Sequence, residues 1–157
     1  MKNNLKEYTK KRDFNKTKEP KANIKSSVFK SEPASIFVIQ KHQATHLHYD
    51  FRLEMNNKLK SWAIPKGIPI KQGEKRLAIQ VEDHPIEYAN FKGTIPKGEY
   101  GAGIVEIWDK GTYKIINQTN NELTINLNGK KAKGNYALIK TNFAKNKNSW
   151  LLIKTKG

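Results

Sequence analysis

The stretch His46 to Met55 carries three reactive side chains at alternate positions: His48, Asp50 and Arg52. In an extended strand, side chains two apart point the same way and sit about 7 Å apart along the chain. An imidazole and a carboxylate at that spacing can share one divalent cation. A third ligand must come from elsewhere: His42, a few residues upstream, is a natural source, and His84 is the other histidine to weigh. Two imidazoles and a carboxylate suit Mn²⁺, Zn²⁺, Fe²⁺ or Co²⁺ better than Ca²⁺ or Mg²⁺. A guanidinium beside such a cation is what a phosphoryl oxygen needs, because the cation acts as a Lewis acid and Arg52 neutralises the outer oxygens. His84, which follows Glu82, could stabilise a transition state or protonate a leaving group. The blander alternative makes the histidines surface residues and pairs Arg52 with Asp50 or Glu54 on an exposed face. It leaves the combination without a purpose.

The element that positions these groups reads as a strand. His46, His48, Asp50, Arg52 and Glu54 fall on one face, and Leu47, Tyr49, Phe51, Leu53 and Met55 on the other. Asn56-Asn57 then reads as a turn. A second alternating run spans Arg76–His84, with Leu77, Ile79 and Val81 on one face and Arg76, Gln80, Glu82 and His84 on the other. Further strands are predicted at Ile36–Gln40, Ser61–Ile64, Gly103–Trp108, Thr112–Ile116, Leu123–Leu127, Tyr136–Lys140 and Trp150–Lys154, punctuated by Gly98, Gly101, Gly103, Gly111, Gly129 and Gly134. Many short strands with turn signals between them imply an all-β barrel or sandwich. Residues 1–33 read instead as an irregular basic arm with apolar anchors at Leu5, Tyr8 and Phe14 and a short helical turn near Leu5–Arg12.

The chain has 157 residues, enough for one domain, and a formal net charge of +16. Such an excess attracts nucleic acid or an anionic surface. Residues 1–33 carry ten basic and four acidic side chains, and residues 129–157 eight basic and none acidic, while 34–128 is nearly balanced. Basic blocks at both ends can bracket a polyanionic substrate. There is no cysteine, which excludes disulfides, thiolate metal sites and cysteine nucleophiles and fits a cytoplasmic protein. No apolar run is long enough to span a membrane. Only Arg12, Arg52 and Arg76 among the 30 basic residues are arginine. Arginine then marks places where a planar, bidentate fork is required.

The blocks FVIQKHQATHLHYDFRLE (37–54), SWAIPKG (61–67), RLAIQVEDHPIEYANFKG (76–93) and IPKGEYGAGIVEIWDKGTY (95–113) resemble the 3′-phosphoesterase domain of bacterial DNA ligase D and its free-standing relatives. KRDFNKTKEP (11–20) and the late GNYALIKT…SWLLIK pattern are similar to that family too, so the likeness covers nearly the whole chain. The resemblance implies a compact single-domain β-barrel of about eight strands, over residues 34–157, with the arm 1–33 contributing to the active site. It implies a divalent cation, typically Mn²⁺ with Co²⁺ or Zn²⁺ as alternatives, held by His42, His48 and Asp50. Arg52 and His84 are expected to hold the scissile phosphate, with Tyr88 supporting the site. Arg12, Asp13, Glu19, Gln40, Arg76 and Glu82 are expected to help position the nucleotide. The implied activity removes a terminal 3′ ribonucleotide and then the 3′ phosphate, leaving a 3′ hydroxyl for repair.

Two features depart from the ligase-fused pattern. No ligase or polymerase segment accompanies these blocks, so a separate DNA ligase and end-joining proteins are the expected partners of a monomeric, nucleoid-associated enzyme acting on nucleic acid 3′ ends. Position 46 is often arginine in those relatives and is histidine here. Two other classes compete. A two-His-one-carboxylate oxygenase would recruit His84 to the metal and leave His42 dispensable. A basic barrel that holds nucleic acid ends without catalysis would keep the charge but not the chemistry.

Overall fold

In the computed structural model, which describes residues 5–22, 35–141 and 148–156, the alternating run forms a strand over Leu47–Met55. Nine strands follow in order: β1 Ser35–Gln43, β2 Leu47–Met55, β3 Lys58–Ile64, β4 Lys75–His84, β5 Gly93–Ile95, β6 Gly103–Gln118, β7 Glu122–Asn128, β8 Lys133–Lys140 and β9 Ser149–Lys154. Neighbours run β1-β2-β3-β4-β9-β8-β7-β6, and β6 pairs back onto β1. Eight strands therefore close into an antiparallel barrel, and β5 hangs outside on β6. Closure removes the unpaired edges that an open sheet would expose. A helix, α1, spans Leu5–Lys10, and a 3₁₀ turn spans Ile86–Asn90. The expected boundary between arm and barrel at 33/34 lies outside the described residues.

Asn56 and Asn57 both have positive φ (52° and 64°), as a tight two-residue hairpin turn between β2 and β3 requires. Two other expectations need correction. Gly103–Trp108 and Thr112–Ile116 are one 16-residue strand, β6, and Gly111 is not a turn. A Cβ at Gly111 would lie 2.2 Å from the Asn128 carbonyl oxygen, so glycine lets β6 and β7 approach. His46 sits in the bend before β2, exposed, and does not join the ladder beside His48.

The barrel separates two cores. Phe37, Ile39, Phe51, Leu53, Trp62 and Leu152 belong to the cluster that fills the interior. Val38, Leu59, Ile95 and Val105 belong to a second cluster on the outer face, where Tyr8 and Tyr88 cover them. The second cluster explains how a strand face written in ionisable residues can be buried. Asp50 is 7% exposed and Arg52 3%, because α1 and the 3₁₀ turn roof that face.

β4 carries the other device. Val81 pairs with Ser61 but His84 pairs with Leu59, so β4 has one more residue than β3 over this interval. Such a bulge reverses which face later side chains occupy. Ala78 thus joins the interior core and Gln80 accepts from the Trp150 indole, while His84 turns outward to the site. Simple alternation puts Gln80 and His84 on one face. The bulge separates them.

Candidate metal centre and phosphate pocket

β1 and β2 place His42 directly opposite His48, and Gln40 opposite Asp50. The imidazole centroids are 4.7 Å apart. Asp50 Oδ2 lies 3.3 Å from His42 Nδ1, and Oδ1 lies 3.2 Å from His48 Nε2. One ligand atom from each of the three falls within 4.8 Å of the others. His84 lies outside this group, and His42 is the histidine that the fold brings beside His48 and Asp50.

The outer ring nitrogens are held by backbone carbonyls. His42 Nε2–H donates to the Gly101 carbonyl at 2.6 Å, and His48 Nδ1–H donates to the His46 carbonyl at 3.1 Å. His42 Nδ1 and His48 Nε2 face the Asp50 carboxylate, which accepts hydrogen bonds from them that a cation would replace. That donor set fits a divalent cation, and carbonyl-oriented imidazoles are the usual support of metal-ligating histidines. Burial alone would raise the Asp50 pKa, but hydrogen bonds with His42 and His48 and the charge of Arg52 hold it far below the usual carboxylate range. Asp50 is an anion throughout. Residue 46 contributes its backbone to this centre.

Arg52 approaches from the next position on β2. Its Nε donates to Gln40 Oε1 at 2.7 Å, its Nη2 lies 3.7 Å from Asp50 Oδ2, and its guanidinium stacks 4.7 Å from the Tyr88 ring centroid. Its Nη1 is buried and has no partner among the described residues. A buried cationic donor without an acceptor costs several kcal/mol unless a ligand supplies one, by an estimate of about 1–3 kcal/mol for neutral groups and more for charged ones.

The remaining wall comes from α1, the segment after it, and β4. Arg12 donates to Glu19 at 3.1 Å, to Glu82 at 3.4 Å and to the Tyr8 carbonyl at 3.0 Å. Its Nη2 is 3.3 Å from His84 Nε2. A guanidinium can only donate, so His84 Nε2 accepts and its Nδ1–H donates to the Glu82 carbonyl at 3.0 Å. Burial, with the nearby charges of Arg52 and Arg12, drives the His84 pKa well below its ordinary value, so the ring is neutral. The Tyr88 hydroxyl donates to Glu19, and burial pushes its pKa far up. A neutral phenol already committed to a carboxylate is no nucleophile.

These side chains enclose a cavity of about 290 Å³ lined by Arg12, Glu19, His42, His48, Asp50, Arg52, Glu82, His84 and Tyr88. Three of the residues named from sequence lie apart from its lining. Gln40 is fully buried behind Arg52, where its amide donates to the carbonyls of Tyr88 and Phe91. Asp13 is exposed and caps its own turn through Asn15 N. Arg76 sits at the far end of β4 against Glu74. Sequence reasoning missed Gly101 and Tyr100, which line the cavity, and Tyr8, whose ring packs on Arg12 and His84. Gly101 acts through a carbonyl, which leaves no mark in residue type. Tyr8 had the signal of an apolar anchor but none of a site residue.

The antiparallel barrel carries on its outer face a His-His-Asp group that could hold a metal ion and an anchored guanidinium beside it. Residues 40–140 match the family described as the DNA ligase D 3′-phosphoesterase domain, and the chain belongs to that family. It is 44% identical over 157 residues to the multifunctional non-homologous end joining protein LigD of Pseudomonas aeruginosa, covering 97% of this chain and 18% of the relative. It is 47% identical over 142 residues to the LigD protein of Mycobacterium bovis, covering 88% and 18%. The Mycolicibacterium smegmatis protein is 44% identical over 160 residues, covering 95% and 20%. The chain thus spans about a fifth of the length of these curated relatives. No helix among the described residues is long and apolar enough to cross a membrane.

Proposed function

We propose that this chain is a divalent-metal-dependent 3′-end-healing phosphoesterase. It removes a terminal 3′ ribonucleotide and the 3′ phosphate from nucleic acid ends, leaving a 3′ hydroxyl for end joining. The observation that carries this reading is the orphaned Nη1 of Arg52 beside the His42–His48–Asp50 group. Together they offer an unsatisfied cationic donor and a cation site within one cavity, which is what a phosphate monoester or diester requires.

His42 Nδ1, His48 Nε2 and Asp50 would hold the cation; the donor set suits Mn²⁺, Co²⁺ or Zn²⁺, and the family resemblance favours Mn²⁺ among them. When bound, the metal supplies Lewis-acid polarisation of a phosphoryl oxygen. Arg52 donates from Nη1 to an outer oxygen, held in plane by Gln40 and flat against Tyr88. Arg12 stands on the opposite wall as a second guanidinium, kept there by Glu19 and Glu82. No side chain is placed as a nucleophile, so water attacks in line. His84 is neutral while its neighbours are Arg12 and Arg52. A phosphate dianion between them reverses that local field, and the imidazole then takes a proton from solvent at Nε2 and hydrogen-bonds the phosphate through it. Asp13 and Arg76 are proposed as outer contacts for the nucleic acid strand.

The test is to incubate the protein with Mn²⁺ and an oligonucleotide ending in a 3′ phosphate. A 3′ hydroxyl product supports the reading. Tight binding with no product over hours points instead to a non-catalytic end-binding barrel.

A further inference from the structure

A second cavity, of about 300 Å³, opens at one end of the barrel and takes no part in the site above. Trp62 and Trp150 line it, with ring centroids 5.8 Å apart and planes at 80°. The Trp62 indole N–H is buried and has no partner among the described residues. Buried indoles normally find an acceptor, and this one belongs to a ring that lines the cavity. Trp150 donates to Gln80 Oε1 at 3.1 Å, and Gln80 lines the same cavity. Lys60 and Lys140 stand in the same lining, and neither pairs with a carboxylate among the described residues. The mouth therefore offers aromatic surface, N–H donors and two free ammonium groups.

An occupant must be flat, rich in acceptors and negatively charged. Continuity with the catalytic cavity selects among such ligands. An open groove of about 770 Å³ between α1 and β4 shares Lys60 and Gln80 with the mouth, and shares Val81 and Glu82 with the catalytic cavity. Ala63 lines the catalytic cavity and Lys60 the mouth, three residues apart on β3. That is about 10 Å of strand, close to three stacked nucleotides at about 3.4 Å each.

We infer that the barrel mouth is a nucleotide subsite: a base of the substrate strand enters against Trp62 and Trp150, and the adjoining backbone phosphates meet Lys60 and Lys140. Its register relative to the 3′ end rests on the proposed function, whereas the binding itself does not.

The experiment uses the full chain with chelator present and a labelled single-stranded oligodeoxynucleotide, read by anisotropy and by quenching of tryptophan emission. The double variant Lys60→Glu/Lys140→Glu is expected to bind at least about tenfold more weakly, with its log–log salt slope smaller by about 1.4, the loss of two phosphate contacts. The distant double variant Lys114→Glu/Lys133→Glu should stay within about twofold of the parent. Trp62→Phe keeps an aromatic ring, removes the N–H and should weaken binding about fivefold, as one lost hydrogen bond does. Equal losses in both lysine pairs would mean a general field and no subsite, and unchanged binding in Trp62→Phe or Lys60→Glu/Lys140→Glu overturns the inference as well. Phosphate release from a 3′-mononucleotide, too short to reach the mouth, should be unchanged in Lys60→Glu/Lys140→Glu. Absence of any release from the parent protein contradicts the proposed function and leaves the binding result standing.

Discussion

Arg52 Nε donates to Gln40 Oε1 at 2.7 Å, and Gln40 uses both of its amide hydrogens on the carbonyls of the 3₁₀ turn that carries Tyr88. One buried amide therefore sets the plane of the guanidinium and the height of the ring it stacks on. Gln40→Ala should lower turnover about 100-fold, the scale expected for misplacing a reacting group by about 1 Å. Divalent-metal affinity, measured by calorimetry, should stay near the parent value. Parallel loss of metal affinity would show that Gln40 supports the β1 ligand and not Arg52.

Arg52→Lys should cost about 10²- to 10³-fold in turnover, the usual range for removing one charge-stabilising donor. A lysine has no Nε to meet Gln40 and no fork to leave Nη1 free for a phosphate. Near-normal rates in the lysine variant would show that only charge matters at this position.

His84→Ala should abolish phosphate release while sparing metal affinity, because His84 lies outside the ligand triad and faces Arg12. His42→Ala should abolish phosphate release and metal binding together, because His42 belongs to the group that could hold the cation. Calorimetric titration with Mn²⁺ separates the two variants. A large fall in metal affinity in His84→Ala would return His84 to the ligand set, as the oxygenase alternative requires.

Much of this site was legible before any fold was known. The alternation of His48, Asp50 and Arg52 along β2 gave the face that lines the cavity, and the rarity of arginine pointed at Arg12 and Arg52, which line it, but equally at Arg76, which sits apart against Glu74. What alternation could not give was a roof. It treats a polar face as solvated, yet Tyr8 and Tyr88 close over this one, and residues 5–20 belong to the wall of the cavity because Arg12 and Glu19 insert there. Nor could it register the extra residue in β4 that sends Gln80 inward and His84 outward, since a bulge changes parity without changing composition. Gly111 misled for a similar reason. Glycine marks close backbone approach as readily as a turn, and only the facing Asn128 carbonyl distinguishes the two.

Stability has its own keystone in Asp109. Its carboxylate accepts from the backbone N–H groups of Lys110, Lys130, Lys131 and Ala132 and so closes the β7–β8 connection. Asp109→Asn should destabilise the fold by about 1–3 kcal/mol, since an amide turns donors toward donors. Burial opposes ionisation, but those N–H groups prevail and depress the Asp109 pKa below its ordinary 3.8. A depressed carboxylate contributes stability that is fully present above the unfolded-state pKa and is lost as pH falls through the folded one. The stability gap between parent and Asp109→Asn in urea melts should be constant above about pH 5 and shrink below pH 4. A gap that widens on acidification would show that Asp109 is not held as an anion.

The central claim is that His42, His48, Asp50 and Arg52 form a metal-dependent centre for healing 3′ ends. The most direct measurement follows a primer-template with a single 3′ ribonucleotide, incubated with the protein and Mn²⁺, and analyses the primer terminus. The account predicts conversion through a 3′ phosphate to a 3′ hydroxyl, abolished by chelation and by His42→Ala. An unchanged terminus, or conversion that persists in chelator or in His42→Ala, would contradict it.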